Sequence, residues 1–190
     1  MEDNAIVIVS GLPRSGTSMM MKMLEAGGVP VLTDYERTAD EDNPKGYYEF
    51  ERVKQIERDR EWLPEACGKA VKMVSALLKH LPADYYYKVI FMRREMEEIL
   101  ASQHQMLVRR GEDTGRTGND KMTALFRRHV QKVEEWIAAQ PNIDVLYVHY
   151  SAVVVDPGPQ ATRINEFLGG GLDADAMAHA VDPSLYRQRA

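Results

Sequence analysis

The most regular pattern in the chain lies near its start. Ala5-Ile6-Val7-Ile8-Val9 is an unbroken, largely β-branched apolar run closed by Ser10-Gly11, and it has no polar face to show to water. It reads as a strand covered on both sides, as in a parallel sheet with a helix layer on each face. Over residues 17–26 the period changes: Met20, Met23 and Leu24, continued by Gly27, share one helical face, and Gly27-Gly28 stops the helix. Further short strands are predicted at 29–32, 70–74, 89–93 and 145–150, and helices at 49–62, 96–109, 121–139 and 160–168. Strands alternating with helices predict an α/β three-layer sandwich, its central and mainly parallel sheet flanked by helices, with ligands received outside the carboxyl ends of the strands.

Composition narrows the class. The length of 190 residues predicts one domain spanning 1–190, and 44% hydrophobic with 28% charged residues is the make-up of a folding globular chain. With 24 Lys and Arg against 29 Asp and Glu the formal charge is -5, the wrong sign for a general binder of nucleic acid or anionic membrane. Any anion must therefore be held by local groups. One cysteine, Cys67, builds neither an internal disulfide nor a Cys-based zinc site. Met1-Glu2-Asp3-Asn4 is acidic, the apolar run behind it is too short for an export signal, and no stretch approaches the roughly 20 apolar residues of a membrane span. A cytoplasmic location is expected. Residues 111–120 are polar and contain glycine, and read as a lid or a plain connector.

The chemistry gathers after the first strand. Gly11-Leu12-Pro13-Arg14-Ser15-Gly16-Thr17-Ser18 carries two glycines five apart between a strand and a helix, the context of a phosphate-cradling loop. Backbone N–H groups can wrap an anion there, the helix N-terminus adds positive charge, and the Thr17 and Ser18 hydroxyls are further donors. The fold expected is thus of the P-loop type. Nucleoside triphosphatases place Lys-Ser or Lys-Thr after the second glycine, however, whereas this chain has Thr17-Ser18, with its nearest cation displaced to Arg14. Asp156 precedes Pro157-Gly158 and reads as a turn or helix cap rather than a metal ligand. Magnesium-dependent phosphoryl transfer is disfavoured.

Gly-Leu-Pro-Arg-Ser-Gly-Thr-Ser resembles the 5′-phosphosulfate loop of sulfotransferases, most closely the tyrosylprotein and bacterial branches. The resemblance implies 3′-phosphoadenosine 5′-phosphosulfate as donor, adenosine 3′,5′-bisphosphate as product and no metal, with Gly11, Pro13, Arg14, Ser15, Gly16, Thr17 and Ser18 around the phosphosulfate and Arg14 as its basic contact. It also implies that Arg94, ending the strand Val89-Ile90-Phe91-Met92-Arg93, binds the 3′-phosphate together with Ser102, eight residues on. An Arg fork suits a terminal phosphate, and a Ser two helical turns later points the same way. Tyr150 matches the residue that touches adenine, although Ser151-Ala152 replaces the usual acidic pair, and the tail from Val181 to Arg189 looks like the ending of bacterial members, with Arg187 or Arg189 as the residue expected to fold back on the 3′-phosphate.

For the transfer step, counting back without gaps from Lys88 puts Lys69 at the catalytic lysine of the tyrosylprotein branch, with Lys72 as second choice. The cytosolic branch's histidine has no counterpart, so the base is sought among carboxylates. Asn43-Pro44-Lys45-Gly46-Tyr47-Tyr48-Glu49 resembles a bacterial Asn-Pro-x-Gly-x-x-Glu element, which makes Glu49 the first candidate and Glu36, in Asp34-Tyr35-Glu36, the next. A P-loop kinase or nucleotidase and a non-catalytic nucleotide-binding protein remain the alternatives. The acceptor, a small molecule or peptide bearing a hydroxyl or amine, is not legible, and no oligomer is predicted.

Overall fold

The computed structural model describes residues 4–34, 46–109, 111, 119–182 and 184. The apolar run at the start forms β1 (Ile6–Gly11), buried along its whole length because it is hydrogen-bonded on both sides, to β2 (Ala70–Lys72) and to β3 (Tyr87–Arg93). β4 (Ile143–His149) adds to β3, giving four parallel strands in the order β2-β1-β3-β4. Strand alternation sorts the side chains of β1 into two cores. Val7 and Val9 pack with Met20, Met23 and Leu24 of α1 (Thr17–Ala26), and with apolar residues of α5 (Tyr150–Val155), α6 (Pro157–Phe167) and α7 (Ala174–His179). Ile6 and Ile8 face the other way, toward Trp62, Leu63 of α2 (Leu63–Ala66) and Ile137 of α4 (Asn119–Ala138). α3 (Met96–Arg109) follows β3. The result is the three-layer α/β sandwich that the alternation predicts.

Local departures have physical causes. Residues 29–32 make only a single bridge, Val31 to Ala70, and are not a fifth strand: Pro30 accepts from Ala70 N at 2.8 Å but has no N–H to return. The helix predicted over 49–62 is instead a short 3-10 turn, Glu51–Gln55, followed by further turns. Long-range bonds compete with helix there, since Asp34 Oδ2 accepts from Glu51 N at 2.6 Å and Arg52 donates to both oxygens of Asp59. The strand predicted over 145–150 starts at Ile143 and ends at His149, and Tyr150 opens α5, a helix that the pattern does not announce. α7 was likewise not foreseen, although Asp173 caps it by accepting from Ala176 N. Asp156 occupies the N-cap position of α6 without a side-chain capping bond. Most of the 111–120 stretch lies outside the described residues.

Candidate active site

β1 delivers the glycine loop to the carboxyl edge of the sheet. Gly11, at φ 148, has no room for a side chain, since a Cβ would overlap Ser15 Oγ and the Met92 carbonyl. Gly16 adopts φ 98 at the N-cap of α1, and a Cβ there would overlap the Tyr150 ring. Between them Arg14 holds φ 71, a left-handed conformation that a side-chain-bearing residue keeps only when its surroundings enforce it. They do so on both sides. Arg94 Nη1 donates to the Arg14 carbonyl at 3.1 Å, and Arg14 Nε donates to Ser102 Oγ at 2.9 Å. Pro13 is exposed beside it, whereas Ser15 is buried and its Oγ has no hydrogen-bond partner among the described residues. Thr17 and Ser18 open α1, whose first turn carries no acidic residue to offset the positive end of the helix. An anion fits the start of α1: the glycines let the loop pack closely against Met92 and Tyr150, and no acidic residue occupies the first turn of the helix.

The second part of the site hangs from β3. Alternation at the strand end separates the two arginines. Arg93 turns to the α4 side, with Nη2 at 2.6 Å from Glu134 Oε1 and its guanidinium 4.0 Å above the Tyr147 ring. Arg94 turns to the loop, with a side chain only 8% exposed, and its Nε donates at 2.7 Å to Glu98 Oε2, itself 3% exposed. Its guanidinium also lies 4.3 Å from the Tyr150 ring centroid. Burial holds the Tyr150 phenol above its ordinary pKa, with Arg94 pulling the other way. The buried Tyr150 ring thus stands behind Gly16 and under Arg94. Glu98 was not among the expected site residues, yet its spacing of four from Arg94 is the ordinary signal of an ion pair on one helical face.

The third part comes from β2. Lys72, its last residue, donates from Nζ to Ser18 Oγ at 3.2 Å and to the Tyr47 carbonyl, and lies 3.8 Å from Glu49 Oε1. Glu49 is held in turn: its carbonyl accepts from Thr33 Oγ1 at 2.8 Å and from Asp34 N at 3.2 Å, while Oε2 sits 3.6 Å from Lys54 Nζ. Lys69 is not brought to this edge. It precedes β2, donates from its backbone to Ala66 O, and pairs its ammonium with Glu65 at 3.4 Å, at the amino end of the sheet. The ungapped count from Lys88 therefore lands just before β2, at the amino end of the sheet, and not at the edge that carries the glycine loop. Arg14, Ser18, Glu49, Lys72, Arg94 and Ser102 converge, while Glu36 and Arg187 lie outside the described residues. Among the described residues no group of three or more His, Cys, Asp or Glu is placed to hold a metal ion.

A parallel sheet that feeds a glycine loop into a helix, beside cations drawn from two neighbouring strand ends, defines a P-loop-type anion-binding α/β protein. The chain belongs to the sulfotransferase family: the model of the sulfotransferase domain matches residues 4–187, and the protein is a sulfotransferase. Its fold is similar to sulfotransferase STF1 from Mycobacterium tuberculosis H37Rv, with TM-score 0.63 and 19% identity over 93% of this chain and 70% of that one. A sulfotransferase domain from the curacin biosynthetic pathway aligns with TM-score 0.55 and 12% identity over 96% of this chain and 89% of its own. Mouse sulfotransferase SULT7A1, complexed with PAP, aligns with TM-score 0.52 and 17% identity over 95% of this chain and 63% of its own. No curated protein matches the chain significantly in sequence. No helix of the described residues is long and apolar enough to cross a membrane.

Proposed function

We propose that the protein moves a sulfuryl group from 3′-phosphoadenosine 5′-phosphosulfate to a hydroxyl or amine of a small-molecule or peptide acceptor, without a metal. The observation that carries this reading is that Arg94 and Ser102 each bond Arg14, so a second anion-binding pair stands directly against the glycine loop. A nucleotide bearing phosphate groups at both its 5′ and 3′ positions suits such paired cradles. The cation of the loop is Arg14 rather than a Lys ahead of Ser or Thr, which agrees with the absence of a magnesium-nucleotide signature in the sequence. The acidic balance of the chain argues against nucleic acid as partner, and the single cysteine fits a cytoplasmic setting.

The donor supplies an activated sulfuryl group on a phosphate leaving group. Toward it, the amides at the start of α1, with Arg14 and Ser18, bind the 5′ end, and Arg94 with Ser102 binds the 3′-phosphate. Lys72 reaches the same edge and offsets charge on the leaving phosphate. Glu49, 3.8 Å from Lys72 Nζ, takes the acceptor proton on its carboxylate. Calorimetric titration with adenosine 3′,5′-bisphosphate tests the reading: affinity of about micromolar order that survives chelation is expected. Equal or tighter binding of magnesium-ATP transfers the site to a kinase or nucleotidase, and nucleotide binding with no transfer of labelled sulfate across an acceptor screen indicates a binding protein.

A further inference from the structure

Glu98 is a carboxylate buried inside an anion-binding site, which simple electrostatics would leave out. At 3% exposure it is tolerable only because Arg94, itself 8% exposed, neutralises it at 2.7 Å. The site already has the cations it needs for an anion, so this carboxylate requires another explanation. Arg94 is held three ways: Nε by Glu98, Nη1 by the Arg14 carbonyl at 3.1 Å, and the guanidinium face by Tyr150 at 4.3 Å. Of these three holds, the Glu98 carboxylate is the one that bears charge. Pinned at Nε, the planar guanidinium is held in orientation, with Nη1 turned to the Arg14 carbonyl of the loop, whose own side chain bonds Ser102. A terminal phosphate is met by an arginine fork bidentately only when that fork is aimed in advance.

We propose that Glu98 is a positioning residue that aims Arg94 and thereby sets the preference for a 3′-phosphorylated nucleotide; this rests on the nucleotide reading above. The proposal and plain electrostatics differ in sign. Deleting a negative charge beside an anion should tighten binding if charge alone matters. Releasing Arg94 to its other rotamers should weaken it if orientation matters.

The experiment is calorimetric titration of the full chain with adenosine 3′,5′-bisphosphate and with adenosine 5′-monophosphate, for the wild type, Glu98→Gln, Glu98→Ala, Arg94→Ala and Arg94→Ala/Glu98→Ala, each first checked for cooperative thermal unfolding. Loss of a charge-assisted bond predicts that Glu98→Ala weakens the bisphosphate by about tenfold or more, with the monophosphate changed less than about twofold. Glu98→Gln keeps an oxygen for Nε and should lose only about threefold. With Arg94 already removed, deleting Glu98 should cause no further loss, because the aiming effect runs through that arginine. Unchanged or tighter bisphosphate binding by Glu98→Gln or Glu98→Ala overturns the proposal, as does a further loss in the double variant or equal weakening of both nucleotides. If Glu98→Ala does not fold, Glu98→Gln and the double variant decide by the same criteria, since Glu98→Gln keeps an acceptor for Arg94 Nε and the double variant removes both charges. A wild type that binds both nucleotides equally overturns the 3′-phosphate reading, and this proposal with it; a preference that survives loss of Glu98 overturns this proposal alone.

Discussion

The two halves of the site are built differently. The Arg94, Glu98, Ser102 and Tyr150 side chains are all buried and stand at the end of β3 or on helices, with Arg14 of the glycine loop bonded to two of them, so the half assigned to the nucleotide is anchored in regular structure. Around Lys72 and Glu49, with side chains 13% and 18% exposed, the anchors are loop backbone: the Tyr47 carbonyl, Thr33, Asp34 and the 3-10 turn that begins at Glu51. On the proposed assignment, donor binding falls to helix and strand ends and acceptor handling to a loop-anchored pair. Substitutions in the first half should act on affinity, and in the second on turnover.

The largest effect expected is on turnover. Glu49→Gln should lower kcat by about 10²–10⁴, the span for loss of a general base, with bisphosphate affinity nearly unchanged; Lys72→Ala should fall in the same range through lost charge stabilisation. Sulfate-transfer assays beside calorimetry test both, and a Glu49→Gln enzyme with full turnover removes Glu49 from the chemistry. Next, Arg94→Ala should cost about 1.5–3 kcal/mol in bisphosphate binding and almost nothing for the monophosphate. Equal losses would make Arg94 part of the scaffold and erase the contrast.

A smaller effect concerns the loop that follows Lys72. Ser75 Oγ lies 2.9 Å from His129 Nε2 of α4, and burial, followed by Lys79, holds the His129 pKa below its ordinary value of 6.5. Below pH 6.5 the unfolded chain therefore binds more protons at this position than the folded one, so stability should decline as pH falls through and below that value. His129→Asn should flatten that part of a Tm-against-pH curve, and an unaltered slope would refute the assignment. Smallest of all, Lys69→Ala should leave turnover and affinity within about twofold, because an exposed helix-type ion pair contributes little; a large loss would mean that the amino end of β2 takes part after all.

Local signals carried much of this structure in the sequence. The Ala5 to Val9 run, the two glycines with Arg14, and Arg94 with Ser102 are all readable over a few residues; the first becomes the body of β1, and the others gather at the carboxyl edge that a parallel sheet prescribes. What was not legible depends on contacts distant in sequence. Lys69 and Lys72 look alike as residues, and only the register of β2 on β1 says which end each occupies. Val153-Val154-Val155 has strand propensity, yet burial of Val153 and Val154 against α1 and α6 makes it part of a helix. Tyr150, which the resemblance sets against adenine, opens α5 instead of ending β4, and its ring lies against Gly16 and Arg94. The acidic residues before 52 could serve solvent or a site, and only the fold shows that the Glu49 backbone is tied to Thr33 and Asp34 while its carboxylate lies 3.8 Å from Lys72.

The strand order also bears on how the chain is made. β1 is interior to the sheet, yet Val7 waits for Ala70 on one side and Lys88 on the other, with no hairpin to satisfy it sooner. At about 5–20 residues per second of synthesis, that interval is several seconds during which an apolar, β-branched segment has no partner. Such a stretch is a template for pairing with other chains. Release of nascent chains stalled before Arg93 should therefore yield aggregates, and a holding chaperone that engages residues 5–9 should raise the yield of active protein more than one added after synthesis.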